Sequence, residues 1–235
     1  MSTAPLFPLF LKLAGRPCLV VGAGRIGEPK IRSLVDCGAR VRVVALAATA
    51  AIAEAASQGV LTWTRKSFEP RDLDGIFLVV AATSSAEVNH GIFLEAERRG
   101  ILCNVVDDPP HCDFFYPALV RRGHFQIAIS TGGLSPALAQ RVRKQLEAEF
   151  PPIYGDWLDE LAKRRTALFE TVGDPKLRLS LIHESVTAEA FAEFEHEWTS
   201  SVPGETGETP VAPLATVLSG GDSRLSTNVL GKELL

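Results

Sequence analysis

Two stretches of this chain hold residues whose types and spacing could act together on one ligand. In the first, Cys18-Leu19-Val20-Val21-Gly22-Ala23-Gly24-Arg25-Ile26-Gly27, an apolar run feeds a G-x-G-x-x-G turn, and helical composition follows from Glu28. Gly22 permits the tight turn, Gly24 lets backbone approach a pyrophosphate, and Gly27 lets helix and strand pack closely. Backbone N–H groups and the helix dipole then face the phosphates. Glycine turns also serve as plain connections; the strand before this one and the helix after it favour the dinucleotide-binding reading. In the second stretch, Asn104-Val105-Val106-Asp107-Asp108 closes an apolar run ahead of Pro109-Pro110. Ligands of open α/β sheets lie beyond the carboxyl ends of strands. Asp107 at such an end projects into the crevice, where a carboxylate beside a hydride acceptor can serve as a general base. The competing reading makes Asp107 or Asp108 a turn cap before the prolines, and periodicity does not choose between them. Ala81-Ala82-Thr83-Ser84, ending another apolar run, converges on the same crevice.

Other candidates are less pointed. The carboxylate that grips an adenosine ribose usually lies about twenty residues past the glycines. Here that region reads Arg42-Val43-Val44-Ala45-Leu46-Ala47, with no acid before Glu54. Arg42 either meets a 2′-phosphate or is an ordinary exposed strand arginine, so the residues leave NAD and NADP open. Arg121, Arg122 and His124 share one turn, and Gly132-Gly133 leads into a helix N-terminus; both suit carboxylates through charge-assisted hydrogen bonds and the helix dipole. A solvated hairpin tip and an ordinary cap explain them equally. His111 and Cys112 are soft enough to ligate a transition metal, but strand neighbours point opposite ways. No metal site is expected.

The elements that must position these residues follow from the apolar pattern. Residues 17–21, 40–45, 61–66, 76–81 and 101–106 read as strands, the third as an edge strand. Helical stretches at 28–37, 48–57 and 85–99 lie between them, with Gly38 and Gly100 placed as C-terminal caps. This alternation predicts an α/β, Rossmann-like, doubly wound parallel sheet over residues 1–112. Residues 113–150 form a small α+β region: strands at 114–120 and 125–130 joined by a turn over 121–124, then a helix over 137–150 with Ser135 as N-cap and Pro136 at its first position. Residues 151–198 are helical, with helices at 156–171, 175–184 and 188–198. Phe191, Phe194 and Trp198 fall at helical spacing as core. Residues 199–235, rich in Ser, Thr, Gly and Pro, read as a flexible tail.

Composition sets outer bounds. The chain has 235 residues, 46% hydrophobic and 22% charged, as in a globular protein. A net charge of −4 gives no general pull towards nucleic acid or anionic membranes. No apolar run is long enough to span a bilayer, and no signal peptide is expected. Four cysteines without a C-x-x-C pair predict reduced thiols and a cytoplasmic protein.

Taken together, several motifs resemble one family: the NAD-dependent precorrin-2 dehydrogenases, including the N-terminal part of siroheme synthase. They are Val20 to Gly24 with Lys30, Gly38-Ala39-Arg40-Val41, Val80 to Thr83 with Val88-Asn89, Cys103 to Asp107, Asp113-Phe114 with Pro117-Ala118, and Ile129 to Pro136. They cover roughly residues 5 to 165. The resemblance implies oxidation of precorrin-2 to sirohydrochlorin with hydride transfer to NAD⁺, on the route to siroheme or cobalamin. It places the family's essential aspartate on Asp107. It places cofactor contacts on Gly24, Arg25, Ile26, Leu46 and Ala47, to which the glycine turn and the crevice add Gly22, Gly27, Ala82 and Thr83. Asn104, His124, Thr131, Gly132, Gly133 and Ser135 would meet the tetrapyrrole. A homodimer joined through residues 113–150 is implied, as is a stand-alone enzyme. Thr131 stands where some relatives carry a modified serine. Three alternatives stay in view: a bifunctional enzyme that also inserts iron into sirohydrochlorin, a dinucleotide-binding regulatory module without turnover, and a different small-molecule dehydrogenase.

Overall fold

A computed structural model of the chain describes residues 5–201. Five parallel strands carry the architecture: β1 (Pro17–Ala23), β2 (Arg40–Ala48), β3 (Thr62–Thr64), β4 (Leu78–Ala81) and β5 (Leu102–Val105), in the order β3-β2-β1-β4-β5. Helices α1 (Gly27–Asp36), α2 (Ala50–Ser57) and α3 (Ala86–Arg99) follow β1, β2 and β4, and a short 3-10 turn (Pro70–Leu73) lies between β3 and β4. The strands are apolar on both sides because both faces are covered. Cys18, Val20, Val41, Val43, Leu78 and Val80 face one cluster with Ile31, Leu34 and Ile52. Leu19, Val21, Val44, Val79, Ala81, Cys103 and Val105 face the other with Ile92, Ala96 and Leu73. Ile31, Ile52 and Ile92 have no exposed surface, and each such side chain contributes about 1.5–3 kcal/mol through burial. The expected doubly wound sheet is the one observed.

Strand order runs outward through β2 and β3 on one side of β1 and through β4 and β5 on the other. The crevice at a topological switch point therefore opens beyond the carboxyl ends of β1 and β4. The Ala82 N–H donates to the Val21 carbonyl at 2.8 Å, extending the β1–β4 ladder to the lip of that crevice.

Several boundaries differ from expectation for identifiable reasons. β2 continues to Ala48 because its register shifts between Val21 and Ala23, and Ala48 then pairs with Ala23. β3 shrinks to Thr62–Thr64: past its pairing with Val44, side chains reach the β2 carbonyls, the indole of Trp63 within the strand donating to Ala45 (3.1 Å) and Arg65 Nε, just beyond it, to Leu46 (2.9 Å). Gly100 caps α3 in the left-handed conformation, as expected.

The described residues divide into two compact units, one of 5–116 with 131–136, the other of 117–130 with 137–201. In the second, β6 (Ala118–Arg122) and β7 (Phe125–Ile129) form an antiparallel hairpin, and four helices follow: α4 (Pro136–Glu149), α5 (Ile153–Thr171), α6 (Pro175–Glu184) and α7 (Ala188–Ser201). Strand structure expected from residue 114 begins only at Ala118. The turn is the pair Gly123-His124, so Arg121 and Arg122 belong to the strand. Arg122 is drawn to the end of α4, donating to the carbonyls of Phe150 (2.9 Å) and Glu147 (3.2 Å). Phe191 packs on Tyr154 and Trp157 at 4.6 and 4.8 Å between ring centroids. Trp198, expected in a core, is 38% exposed. Thr199 to Ser201 continue α7; the rest of the expected tail lies outside the described residues.

The Rossmann unit generates one stability prediction. A Cβ on Gly27 would stand 2.2 Å from the Gly22 carbonyl oxygen, whereas one on Gly24 would meet nothing within 4 Å. Gly27→Ala is expected to lower unfolding free energy by about 1–3 kcal/mol and Gly24→Ala by less than about 0.5 kcal/mol, measured by urea denaturation. Equal losses would contradict the packing.

Candidate active site

At the end of β1, Gly22 adopts φ 102°, and a Cβ there would lie 2.3 Å from the Ala82 carbonyl oxygen. Two backbones thus touch where the strand order reverses. The chain then turns over Gly24, whose Cα faces open space, and enters α1 with no side chain capping it. The Glu28 N–H is taken by the Gly24 carbonyl at 2.9 Å. Among the described residues, the N–H groups of Arg25, Ile26 and Gly27 have no carbonyl acceptor. Glu28, the acid of the first turn, is bound along the helix by Arg32 at 2.7 Å. Open space above a glycine, donors without acceptors and a helix N-terminus together fit a pyrophosphate.

The end of β2 is plain by comparison. Leu46 is 65% exposed, and Thr49 caps α2 by accepting the Ile52 N–H. β2 itself, Arg40 to Ala48, carries no carboxylate to hold ribose hydroxyls. Arg42 is occupied elsewhere, its Nη2 donating to the carbonyls of Asp72 and Asp74.

Beyond β4, Thr83 is fixed by a residue to which the sequence pattern gave no role. The side-chain oxygen of Asn89, a buried residue of α3, accepts both the Thr83 hydroxyl (2.7 Å) and the Thr83 N–H (3.2 Å). Asn89 Nδ2 returns a bond to the Thr83 carbonyl at 3.1 Å. Ser85, the N-cap, places its N–H on the Thr83 hydroxyl at 3.2 Å. This knot shapes the lip made by Ala82 and Thr83. Its partners are mostly backbone groups, which is why the sequence carried no signal of it.

The fifth strand ends in a pinned loop. Residues 112–114 fold back antiparallel on β5, with Asn104 bridging Cys112. Asn104 Nδ2 donates to the Phe114 carbonyl at 2.8 Å. The Cys103 N–H donates to the Asp113 carboxylate, and the Asp113 N–H to the Cys103 carbonyl, both at 2.8 Å. Burial raises the Cys112 thiol to about 11, so it remains an S–H donor and reaches the Val105 carbonyl at 3.1 Å. The loop ends held by these bonds carry Asp107 between them. Asp107 has φ 61°, the one described residue other than glycine with positive φ. Aspartate tolerates this left-handed conformation better than most residues, yet it is uncommon enough to mark a site. Its carboxylate is exposed and joins no ion pair among the described residues.

The structure therefore gathers Gly22, Gly24, Arg25, Ile26, Gly27, Leu46, Ala47, Ala82, Thr83, Asn104 and Asp107 at the carboxyl ends of β1, β2, β4 and β5. Thr131, Gly132, Gly133 and Ser135 form a tight turn before α4, in which the Thr131 hydroxyl accepts the Ser135 N–H at 3.2 Å. His124 is exposed in the hairpin turn of the second unit. His111 and Cys112 are engaged separately: the imidazole meets the Asp108 carboxylate, the thiol the carbonyls of Val105 and Asp108. Among the described residues, no group of three His, Cys, Asp or Glu could hold a metal ion, and no helix is long and apolar enough to cross a membrane.

Comparisons with known proteins agree with the fold. A family model described as NAD(P)-binding matches residues 9–118, and the central region of sirohaem biosynthesis proteins matches residues 122–149. The siroheme synthase of Methylococcus capsulatus is 40% identical over 171 residues, covering 73% of this chain and 36% of that protein. Siroheme synthase 1 of Pectobacterium atrosepticum is 42% identical over 164 residues, covering 67% and 34% respectively. The chain thus spans about a third of the length of these relatives. The solved structure of SirC, a precorrin-2 dehydrogenase, superposes with a TM-score of 0.70 at 27% identity, covering 83% of this chain and all (100%) of that one.

The open space over Gly24 sets a binding prediction. Gly24→Val should fold as the parent does but bind NADH at least about tenfold more weakly, a loss of about 1.4 kcal/mol, read by quenching of intrinsic fluorescence. Undiminished binding would place the pyrophosphate elsewhere.

Proposed function

We propose that the chain is a member of the family of precorrin-2 dehydrogenases and siroheme synthases, and that it oxidises precorrin-2 to sirohydrochlorin with NAD⁺. The observation that carries this reading is the placement of Asp107: a carboxylate held in a left-handed turn at the end of β5, two strands from the glycine turn. Such an arrangement suits a reaction that removes one hydride and one proton from the same substrate. A bound oxidised nicotinamide supplies the hydride acceptor. The chain's own part is to hold the dinucleotide, orient the macrocycle and take the proton.

In this reading the N–H groups of Arg25, Ile26 and Gly27 hold the pyrophosphate, with the Arg25 guanidinium at the mouth of the turn. Ala82 and Thr83, fixed by Asn89, form the wall against which the nicotinamide rests. Leu46 and Ala47 cover the adenosine end. NAD is the cofactor the family resemblance implies; at β2, Arg42 is bound to the carbonyls of Asp72 and Asp74, and Arg65 reaches the Leu46 carbonyl through Nε. Asp107 accepts the proton as the substrate is oxidised. Asn104 acts through the loop, its amide holding Phe114 so that Asp107 stays in place. The turn over Thr131, Gly132, Gly133 and Ser135 is the segment that would meet a macrocycle rimmed with carboxylates.

Residues 113–150 form the region through which two copies associate, and 151–198 a helical domain. The enzyme works in the cytoplasm, in keeping with four cysteines that form no disulfide. A second reading is favoured by the siroheme synthases at 40% and 42% identity: the same cleft also inserts ferrous iron into sirohydrochlorin. Iron insertion faster than the spontaneous rate, in the absence of NAD⁺, supports it.

The test is a direct assay. Precorrin-2 and NAD⁺ with the purified chain should give NADH and sirohydrochlorin in equal amounts. Asp107→Ala and Asp107→Asn should each lower kcat by about 100-fold or more while NADH affinity stays within about twofold. Activity of Asp107→Ala within a few-fold of the parent would remove Asp107 from the mechanism.

A further inference from the structure

The loop that carries Asp107 is held from behind by a pair of residues that the proposed chemistry does not use. His111 Nδ1 lies 2.6 Å from Asp108 Oδ2, on the residue next to Asp107. The imidazole is itself held by α3: its ring centroid is 4.6 Å from that of Phe93, tilted at 58°, and 4.9 Å from that of His90, edge-on at 68°. The main chain closes the same turn, with the Asp108 N–H on the Val105 carbonyl (3.2 Å) and the His111 N–H on the Asp108 carbonyl (3.0 Å). The Cys112 thiol adds a contact to the Asp108 carbonyl at 3.3 Å.

These contacts differ in what they fix. The backbone bonds close the turn whichever way its side chains point. The imidazole ties a side chain of the turn to a neighbouring helix, and that side chain is the one adjacent to Asp107. A left-handed residue persists only where its surroundings over-determine it, and Asp107 has no ion pair of its own among the described residues to hold it.

We infer that His111 is a positioning residue: through Asp108 and against Phe93 and His90 of α3, it holds the turn that presents the Asp107 carboxylate to the substrate. The inference rests on the dehydrogenase reading for its kinetic consequence and on geometry alone for its structural one. His111 needs only its Nδ1–H for this task. Asparagine, whose Nδ2 takes nearly the same place, should substitute for it, whereas phenylalanine keeps the ring contacts and loses the donor.

The experiment compares the parent with His111→Phe and His111→Asn in the full chain. Amide hydrogen exchange is followed at Asp108 and His111, with β1 amides as internal reference, and kcat and KM are measured with precorrin-2 and NAD⁺. The expected result for His111→Phe is exchange at least tenfold faster at those two amides alone, and kcat at least tenfold lower with KM for NAD⁺ within twofold. His111→Asn should restore both. Exchange and kcat unchanged in His111→Phe would overturn the inference. So would faster exchange with unchanged kcat, or failure of His111→Asn to rescue. If the parent oxidises no precorrin-2, the dehydrogenase reading falls, and the exchange rates alone decide whether the pair holds the turn.

Discussion

Where β1 and β4 end, two backbones touch with no room for a side chain between them. Gly22 at φ 102° lies against the Ala82 carbonyl, and Gly27 packs against Gly22 in turn. That double contact sets the distance between the glycine turn and the wall formed by Ala82 and Thr83. It aims the uncapped N-terminus of α1 along the crevice, since helix and strand can approach this closely only without side chains. An added methyl on Gly27 would push α1 off Gly22 and tilt those donors, and one on Gly22 would part the ends of β1 and β4. The phosphate-binding geometry is thus a consequence of packing inside one βα unit.

The other wall depends on a different device. β5 cannot place Asp107 by regular strand geometry, because the strand stops at Val105. The chain returns instead as a short antiparallel segment bonded to Cys103 and Asn104, and the left-handed turn lies between the two arms. A non-glycine residue in that conformation costs about 1–2 kcal/mol, offset by the buried bonds on both sides. Strain of this kind gathers at functional sites because a carboxylate aimed into a crevice is of more use than one relaxed on a surface. Both walls therefore combine a glycine-tight or strained backbone with a buried amide, Asn89 on one side and Asn104 on the other.

Much of this was legible in the residues. Both-face burial writes long apolar runs, so the strands around Val20, Val43, Val79 and Cys103 stand out, and the glycine spacing marks the first turn. The family followed from the motifs in sequence order and agrees with the comparisons. What escaped was whatever side chains do to backbone. The extension of β2 to Ala48 needs a register shift beside Gly22. The missing strand at 114–117 reflects Asp113 and Phe114 bonding back to β5. Arg122, read as a turn cation, is drawn to carbonyls at the end of α4, far along the chain. Asn89 appeared only as part of a motif, since its bonds run to Thr83 six residues earlier. Periodicity reports which face is buried; it says nothing of amides and guanidinium groups that reach for carbonyls.

The most direct measurement is a crystal structure of the chain with NADH and sirohydrochlorin bound together. The account predicts the pyrophosphate on the N–H groups of Arg25 to Gly27. It also predicts the nicotinamide C4 about 3–3.5 Å from a macrocycle carbon, with the Asp107 carboxylate on the macrocycle's edge at hydrogen-bond distance. A nicotinamide lying away from the end of β5, or Asp107 turned out of the crevice into an ion pair, would contradict it.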